Sequence, residues 1–134
     1  MEEIYKITII SLRRPLEKTI NQELQWFGNS LGLFNLRDKD KSCFRVFIEL
    51  LKSAKRKQPL SSDELAIRLS LSRGTVIHHI NRLMGAGIVI HSRKKYLLRV
   101  DNLRELVEHI EKDLQKTCTE LKETAKEIDR RLSL

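Results

Sequence analysis

Residues 61–83, SSDELAIRLSLSRGTVIHHINRL, decide the fold of this chain, because they describe two short amphipathic helices joined by a tight turn. Ser61 and Glu64 have the spacing of a capping box, in which the two side chains satisfy backbone donors at a helix start. The apolar face of this first helix comprises Leu65, Ala66 and Leu69. Ser72 is a candidate N-cap of the second helix. The buried face of that helix follows from the helical spacing of Val76, Ile80 and Leu83.

The outward face of the second helix carries small, amide and cationic groups. Opposite the apolar residues, a helical wheel places Gly74, His78, Asn81 and Arg82, with Arg73 and Thr75 at the N-terminal margin. A helix of this character, held from behind by its apolar face, suits the reading of base edges in the DNA major groove. The pattern predicts a helix-turn-helix.

A short hairpin is predicted after the second helix. Gly87 suits the left-handed conformation that ends a helix. The β-prone runs 88–90 and 96–98 flank residues 91–95, His-Ser-Arg-Lys-Lys. We interpret residues 91–95 as the tip of the wing of a winged helix. The alternative is an ordinary solvated loop, because runs of charged residues usually lie in such loops.

The chain resembles the ArsR-type winged-helix transcription regulators over roughly residues 41–100. Ser72–Leu83 followed by Ala86-Gly87-Ile88-Val89 is similar to the recognition helix and wing entry of that family, S-x-x-T-V-S-x-H-L-x-x-L…A-G-L-V. The resemblance implies dimeric, sequence-specific binding of double-stranded DNA, with the second helix in the major groove. It also implies that His79 packs at the base of that helix. Ile77 departs from the family's serine, so it either touches a thymine methyl or packs.

The candidate DNA contacts lie on the recognition helix, predicted over residues 72–86, and on the wing, which we expect on the DNA backbone or in the minor groove. They are Ser72, Arg73, Gly74, Thr75, Ile77, His78, Asn81, Arg82, Arg93, Lys94 and Lys95.

The charge distribution agrees with nucleic-acid binding. The 134 residues carry a net charge of +8. Residues 41–100 hold 13 Lys/Arg against 3 Asp/Glu, residues 1–40 hold 6 against 6, and residues 101–134 hold 7 against 9. The positive excess is confined to the predicted winged helix, as expected for salt-dependent phosphate binding.

Several other classes of protein are disfavoured. No stretch reaches the roughly 18 apolar residues of a membrane span, and the start, MEEIYKITII, lacks the basic character of a secretory signal. We therefore expect a cytoplasmic protein that does not bind membranes. Cys43 and Cys118 are far apart, without a C-x-x-C, and are expected to be small buried residues rather than a disulfide.

Neither metal binding nor catalysis is indicated. A metal site around His109 is the alternative, but residues 61–71 have no cysteine where ArsR-type metal sensors carry a thiolate pair. The chain has no P-loop, nucleophile elbow, H-E-x-x-H or dinucleotide fingerprint. We expect no metal, no cofactor and no enzymatic activity, and no sequence feature identifies an effector.

We divide the chain into a largely helical N-terminal extension (1–40), the winged helix-turn-helix (41–100) and a long C-terminal helix (101–134). The boundary is the polar run Asp38–Lys41. The first helix of the core should bury Phe44, Phe47, Ile48 and Leu51, and Lys52–Gln58 should be a linker that ends at Pro59.

The N-terminal extension has fewer signals. Ile4–Ile10 is either a strand or the lead-in to a helix, and Pro15 is a candidate first helical residue. The helical period then continues through Leu16, Ile20, Leu24, Phe27 and Leu31. This helix should pack on the C-terminal helix, on its own core or on a partner subunit.

The C-terminal segment should be one helix capped by Asp101 or Asn102. Its apolar residues form a heptad seam with one four-residue stutter, and they are Leu103, Val107, Ile110, Leu114, Cys118, Leu121, Ala125, Ile128 and Leu132. A helix of about thirty residues with one narrow apolar stripe needs a partner. That partner is a second copy in a coiled coil or, alternatively, the chain's own N-terminal helix.

The sequence therefore predicts a mainly α, winged helix-turn-helix transcription regulator that binds DNA as a homodimer. The alternative is a winged-helix subunit that binds protein within a chromosome-organising or transcription-machinery complex.

Overall fold

A computed structural model describes residues 5–34 and 41–133 and contains five helices and one two-stranded antiparallel hairpin. In chain order these are α1 (Ile20–Ser30), α2 (Ser42–Arg56), α3 (Ser62–Leu69), α4 (Arg73–Gly85), β1 (Val89–Ser92), β2 (Lys95–Leu98) and α5 (Leu103–Leu132). α2, α3, α4 and the hairpin form a winged helix-turn-helix, with a helix before it and a long helix after it. The predicted fold class is confirmed.

The core lies where α2 packs against α3, α4 and β2. Its largest fully buried side chains include Phe47, Leu50, Leu65, Ile80 and Leu83. Most come from positions that the helical spacing marked as apolar. Burial of this kind is the main favourable contribution to folding.

The buried face of α2 differs from the predicted one. Cys43, Val46 and Leu50 are fully buried with Phe47, whereas Phe44, Ile48 and Leu51 are only partly buried. Apolar residues lie on more than one side of this helix, so two offset stripes both satisfy the helical period. Packing against α4 and β2 selects between them.

The predicted linker at Lys52–Gln58 is wrong over most of its length. α2 continues to Arg56, and Lys57 is the C-cap in the left-handed conformation, with φ 55°. Lysine and arginine are good helix formers, and cations are favoured at helix C-termini. A run of basic residues is therefore not by itself a sign of a linker.

The described part of the N-terminal extension, residues 5–34, contains less helix than predicted. Within residues 5–34 the only helix is α1, whose N-cap is Thr19, so Pro15 is not the first helical residue. Residues 5–19 form neither a helix nor a strand. This arm is nevertheless attached, because the Lys6 N–H donates to the Gly85 carbonyl (2.8 Å) and the Ile10 N–H donates to the Ser30 carbonyl (2.7 Å). Residues Asp38–Asp40 of the proposed boundary lie outside the described residues.

The residues that follow α1 pack within their own chain. Leu33 is buried, and the Phe34 ring lies edge-on to Phe44 (5.2 Å between centroids) and Phe47 (6.4 Å). In contrast, Leu16 and Ile20 are 97% and 73% exposed. The end of the extension therefore belongs to the core, and Ile7 and Phe27 pack against it from the arm and from α1.

The final helix begins where the sequence predicts. Asn102 is its N-cap, and its side-chain oxygen accepts from the Glu105 N–H at 2.9 Å. Leu106 and Ile110 are buried against the core, whereas the side chains from Gln115 onward are exposed, with the exception of Glu127. Cys118 is also exposed, so its predicted burial is wrong, while Cys43 is fully buried. No helix in the described part of the chain is long and apolar enough to cross a membrane.

Candidate nucleic-acid interface

The helix-turn-helix is fixed at both helix starts by local caps. The Glu64 N–H donates to the Ser61 hydroxyl (3.1 Å), and the Ser61 N–H donates to the Glu64 carboxylate (3.2 Å). The Thr75 N–H donates to the Ser72 hydroxyl (3.1 Å), which itself lies 2.7 Å from the Thr75 hydroxyl. Both predicted caps are confirmed. The side chains of Ser72 and Thr75 therefore hold the start of α4 as well as being candidate DNA contacts.

α4 has a buried back and an open front. Val76, Ile80 and Leu83 are fully buried, as predicted from their spacing. The six residues predicted to face outward are all exposed or partly buried, and they are Arg73, Gly74, Thr75, His78, Asn81 and Arg82. This face is therefore free to meet a ligand.

Two neighbouring residues complete the description of α4. His79 is 7% exposed and packs at the base of the helix, as the resemblance implied, with its ring edge-on to that of His78 at 5.3 Å. Ile77 is partly buried, which suits either of its two expected roles.

The strands of the wing are longer than predicted, and the turn between them is shorter. Ser92 pairs with Lys95, so the tip consists only of Arg93 and Lys94. Both tip residues have positive φ (51° and 64°), as in the two-residue hairpin turns of mirror-image type. Such turns usually contain Asn or Gly, so the sequence Arg-Lys did not indicate one. His91 and Lys95, expected at the tip, are strand residues.

A third short strand segment, which the sequence did not predict, anchors the wing. Leu60 and Tyr96 exchange backbone hydrogen bonds of 3.0 and 2.7 Å. The Tyr96 ring also stacks on His91 at 4.7 Å. A single β-bridge leaves no periodic pattern in the sequence. It ties the wing to the segment that leads into α3.

Two of the candidate cations are paired with carboxylates in the first turn of α3. Arg73 lies 3.4 Å from Asp63, and Lys95 lies 3.6 Å from Glu64. The pKa of Glu64 is lowered, chiefly by the hydrogen bond from the Ser61 backbone N–H and to a smaller extent by Lys95. Within residues 5–34 and 41–133, Arg93 and Lys94 have no carboxylate within 4.0 Å. The wing tip therefore holds uncompensated charge.

The predicted seam of α5 divides into two parts. Leu103, Ile110 and Leu114 are buried or partly buried by the body of the protein, and Leu106, which the predicted seam omitted, is fully buried beside them. The other seam residues are exposed: Val107, Cys118, Leu121, Ala125, Ile128 and Leu132. Apart from Val107, these residues lie on the half of α5 that extends beyond the core.

No metal centre is assembled in the described part of the chain. Among residues 5–34 and 41–133, no group of three or more His, Cys, Asp or Glu side chains is close enough to hold an ion. His109, the centre of the metal alternative, is exposed on α5.

A capped helix pair, an open α4 face and an anchored hairpin define a winged helix-turn-helix domain. Residues 46–96, less than half of the chain, match a family described as an HTH domain. The match supports a helix-turn-helix DNA-binding family, whose members are typically not enzymes, and it does not single out the ArsR type. Neither the curated proteins nor the solved structures gave a significant match.

Proposed function

We propose that this protein is a sequence-specific double-stranded DNA-binding transcription regulator of the ArsR type that acts as a homodimer. The observation that carries this proposal is the front of α4, where Gly74, His78 and Asn81 are exposed on a helix whose back is fully buried. A rigid helix with amide and imidazole groups in front suits base reading in the major groove. The HTH match over residues 46–96 supports a DNA-binding role.

The wing and α4 have different roles in this proposal. Asn81 and His78 read base edges, and Arg93 and Lys94 contact phosphates or the minor groove from the wing tip. Lys95 contributes less than predicted, because its ammonium is already 3.6 Å from Glu64. Base contacts specify the sequence, whereas phosphate contacts position the protein.

The dimer is proposed on the exposed part of the α5 seam. Leu121, Ile128 and Leu132 are 63%, 49% and 63% exposed in the single chain. An apolar heptad stripe of this length is typical of helices that pair with a second copy. In this proposal residues 41–100 bind DNA, and residues 101–134 bring two recognition helices into register.

The test compares Asn81→Ala with the double variant Arg93→Ala/Lys94→Ala, on a site selected from random DNA and on a scrambled duplex. Parent affinity should fall by orders of magnitude between about 50 and 200 mM salt. Asn81→Ala should cost about 1–3 kcal/mol on the selected site only. The wing variant should weaken both duplexes alike and flatten the salt dependence.

Two results would count against the proposal. Affinity that does not change with salt would contradict nucleic-acid binding and favour the protein-interaction alternative. Equal reductions in affinity on both duplexes for Asn81→Ala would show that α4 does not read bases.

A further inference from the structure

The carboxylates of residues 41–100 neutralise cations near the recognition helix and leave others free. Glu49 lies 3.3 Å from Arg68, Asp63 lies 3.4 Å from Arg73, and Glu64 lies 3.6 Å from Lys95. These are all three acidic residues of the segment. Apart from Arg99, which pairs with Asp113 of α5, the other cations of the segment have no carboxylate within 4.0 Å in the described part of the chain.

The largest concentration of such cations is at the end of α2. Lys52, Lys55 and Arg56 have i, i+3, i+4 spacing, which places them on one face, and Lys57 follows as the C-cap. All four side chains are exposed, and none has a carboxylate within 4.0 Å in the described part of the chain. We call Lys52, Lys55, Arg56 and Lys57 the α2 cationic stripe.

Helix physics explains only part of this stripe. Cations in the last turn are favoured by the helix dipole, and that accounts for Lys55 and Arg56. Like charges at i, i+3 and i, i+4 repel each other, however, and Lys52 lies before the last turn. An arrangement of four adjacent free cations is typical of a surface that meets several anionic groups at once.

The end of the stripe adjoins the base of the wing, where Asp101 also lies. Lys57, Gln58 and Pro59 line a groove together with Leu97 and Leu98 of β2. The chain then pairs with β2 at Leu60 and Tyr96. Because this bridge is antiparallel, Lys57 lies toward the base of the wing and away from its tip. The stripe can therefore meet only DNA that lies outside the bases read by α4.

We propose that the α2 cationic stripe binds the phosphate backbone of the DNA that flanks the site read by α4. This inference rests on the proposed function. A membrane surface is the less suitable partner, because such surfaces need bulky apolar anchors beside the cations. Every large apolar side chain of α2 is buried or partly buried.

The test variant is Lys52→Gln/Lys55→Gln/Arg56→Gln. Glutamine is a good helix former, so α2 should be retained. The control variant, Arg13→Gln/Lys18→Gln/Lys112→Gln, removes the same charge from exposed positions outside the winged helix. Affinity is measured against salt on a minimal site and on a site extended by about one helical turn (~10 bp) at each end.

On the extended site, the stripe variant should bind more weakly than the parent, with a salt slope shallower by about 0.9 for each phosphate that is no longer neutralised. On the minimal site it should match the parent. The control variant should retain the parent slope on both duplexes.

Three results would overturn this inference while leaving the proposed function intact. The first is a parent-like salt slope for the stripe variant on the extended site. The second is an equal loss of affinity in the stripe and control variants. The third is a loss of affinity in the stripe variant that is equal on the minimal and extended sites. Parent protein that sediments with phosphatidylserine vesicles, when the stripe variant does not, would assign the stripe to membranes instead. A parent that binds no duplex would contradict the proposed function itself.

Discussion

At the scale of single residues, Gly74 is a position at which the fold does not explain the amino acid. It is the second residue of α4, its φ is not positive, and no heavy atom lies within 4 Å of the place where a Cβ would be. Glycine in a helix is less favourable than alanine by up to about 1 kcal/mol. Close approach of a DNA backbone to the start of α4 would account for the missing side chain.

We therefore expect Gly74→Ala to raise the free energy of unfolding by up to about 1 kcal/mol, and to weaken DNA binding several-fold because the new methyl group faces the duplex. Gly85→Ala is the matched control, since Gly85 is also exposed, also has open space at its Cβ, and lies at the other end of α4. Chemical denaturation and duplex titration measure both effects. Equal affinity of the two variants for the duplex would show that Gly74 is not part of the DNA interface.

At the scale of elements, α5 has one apolar face whose two halves have different surroundings. Leu106 and Ile110 attach its first turns to the core, whereas Leu121 and Ile128 continue the face of Ile110 farther along the helix, where the chain leaves it exposed. A helix with an apolar stripe that is not covered by its own chain is expected to find a partner. The exposed stripe therefore predicts the oligomeric state.

Leu121→Asp should convert the dimer to a monomer, because a charge buried without a partner costs about 3–5 kcal/mol. Thr119→Asp is the control, since helical geometry places residue 119 on the opposite side of α5 and it is also exposed. Sedimentation analysis of both variants gives the mass directly. The proposal that the exposed seam forms a dimer would be contradicted if the parent had the mass of a monomer. It would also be contradicted if the Leu121→Asp variant remained a dimer.

At the scale of the whole molecule, Tyr5 links three parts of the chain that are distant in sequence. Its hydroxyl donates to the Asp113 carboxylate of α5, and Arg99 contacts both groups, at 2.7 Å from Asp113 and 3.2 Å from the Tyr5 oxygen. The Tyr5 ring also packs closely on Gly87, whose φ is +75°. A Cβ atom at position 87 would lie only 2.6 Å from the ring. The arm thus joins the exit of α4 and the end of the wing to α5.

Tyr5→Phe should lower the free energy of unfolding by about 1–2 kcal/mol, since it removes hydrogen bonds to charged partners and keeps the ring. It should also speed hydrogen exchange in the first turns of α5. Tyr96→Phe is the control, because the Tyr96 hydroxyl makes no hydrogen bond within residues 5–34 and 41–133. An equal decrease in the free energy of unfolding in both variants would show that the hydrogen bonds of the Tyr5 hydroxyl do not stabilise the fold.

The sequence by itself determined the features that depend on neighbours three or four residues away. The Ser61–Glu64 capping box, the Ser72 and Asn102 caps and the left-handed Gly87 follow from local hydrogen bonds and backbone sterics. The buried back of α4 follows equally from helical spacing. These features place the candidate site on α4, and they could be predicted because the competing structures are few at such short range.

Tertiary structure alone decided which of several locally acceptable arrangements the chain adopts. The buried side of α2, the Leu60–Tyr96 bridge and the pairing of Lys95 with Glu64 each join residues far apart in sequence. The hydrogen bond from Tyr5 to Asp113 spans 108 positions. Contacts of this kind leave no periodic pattern, because their energy depends on how the elements pack in space. The charge left free for a ligand therefore became visible only in the folded chain.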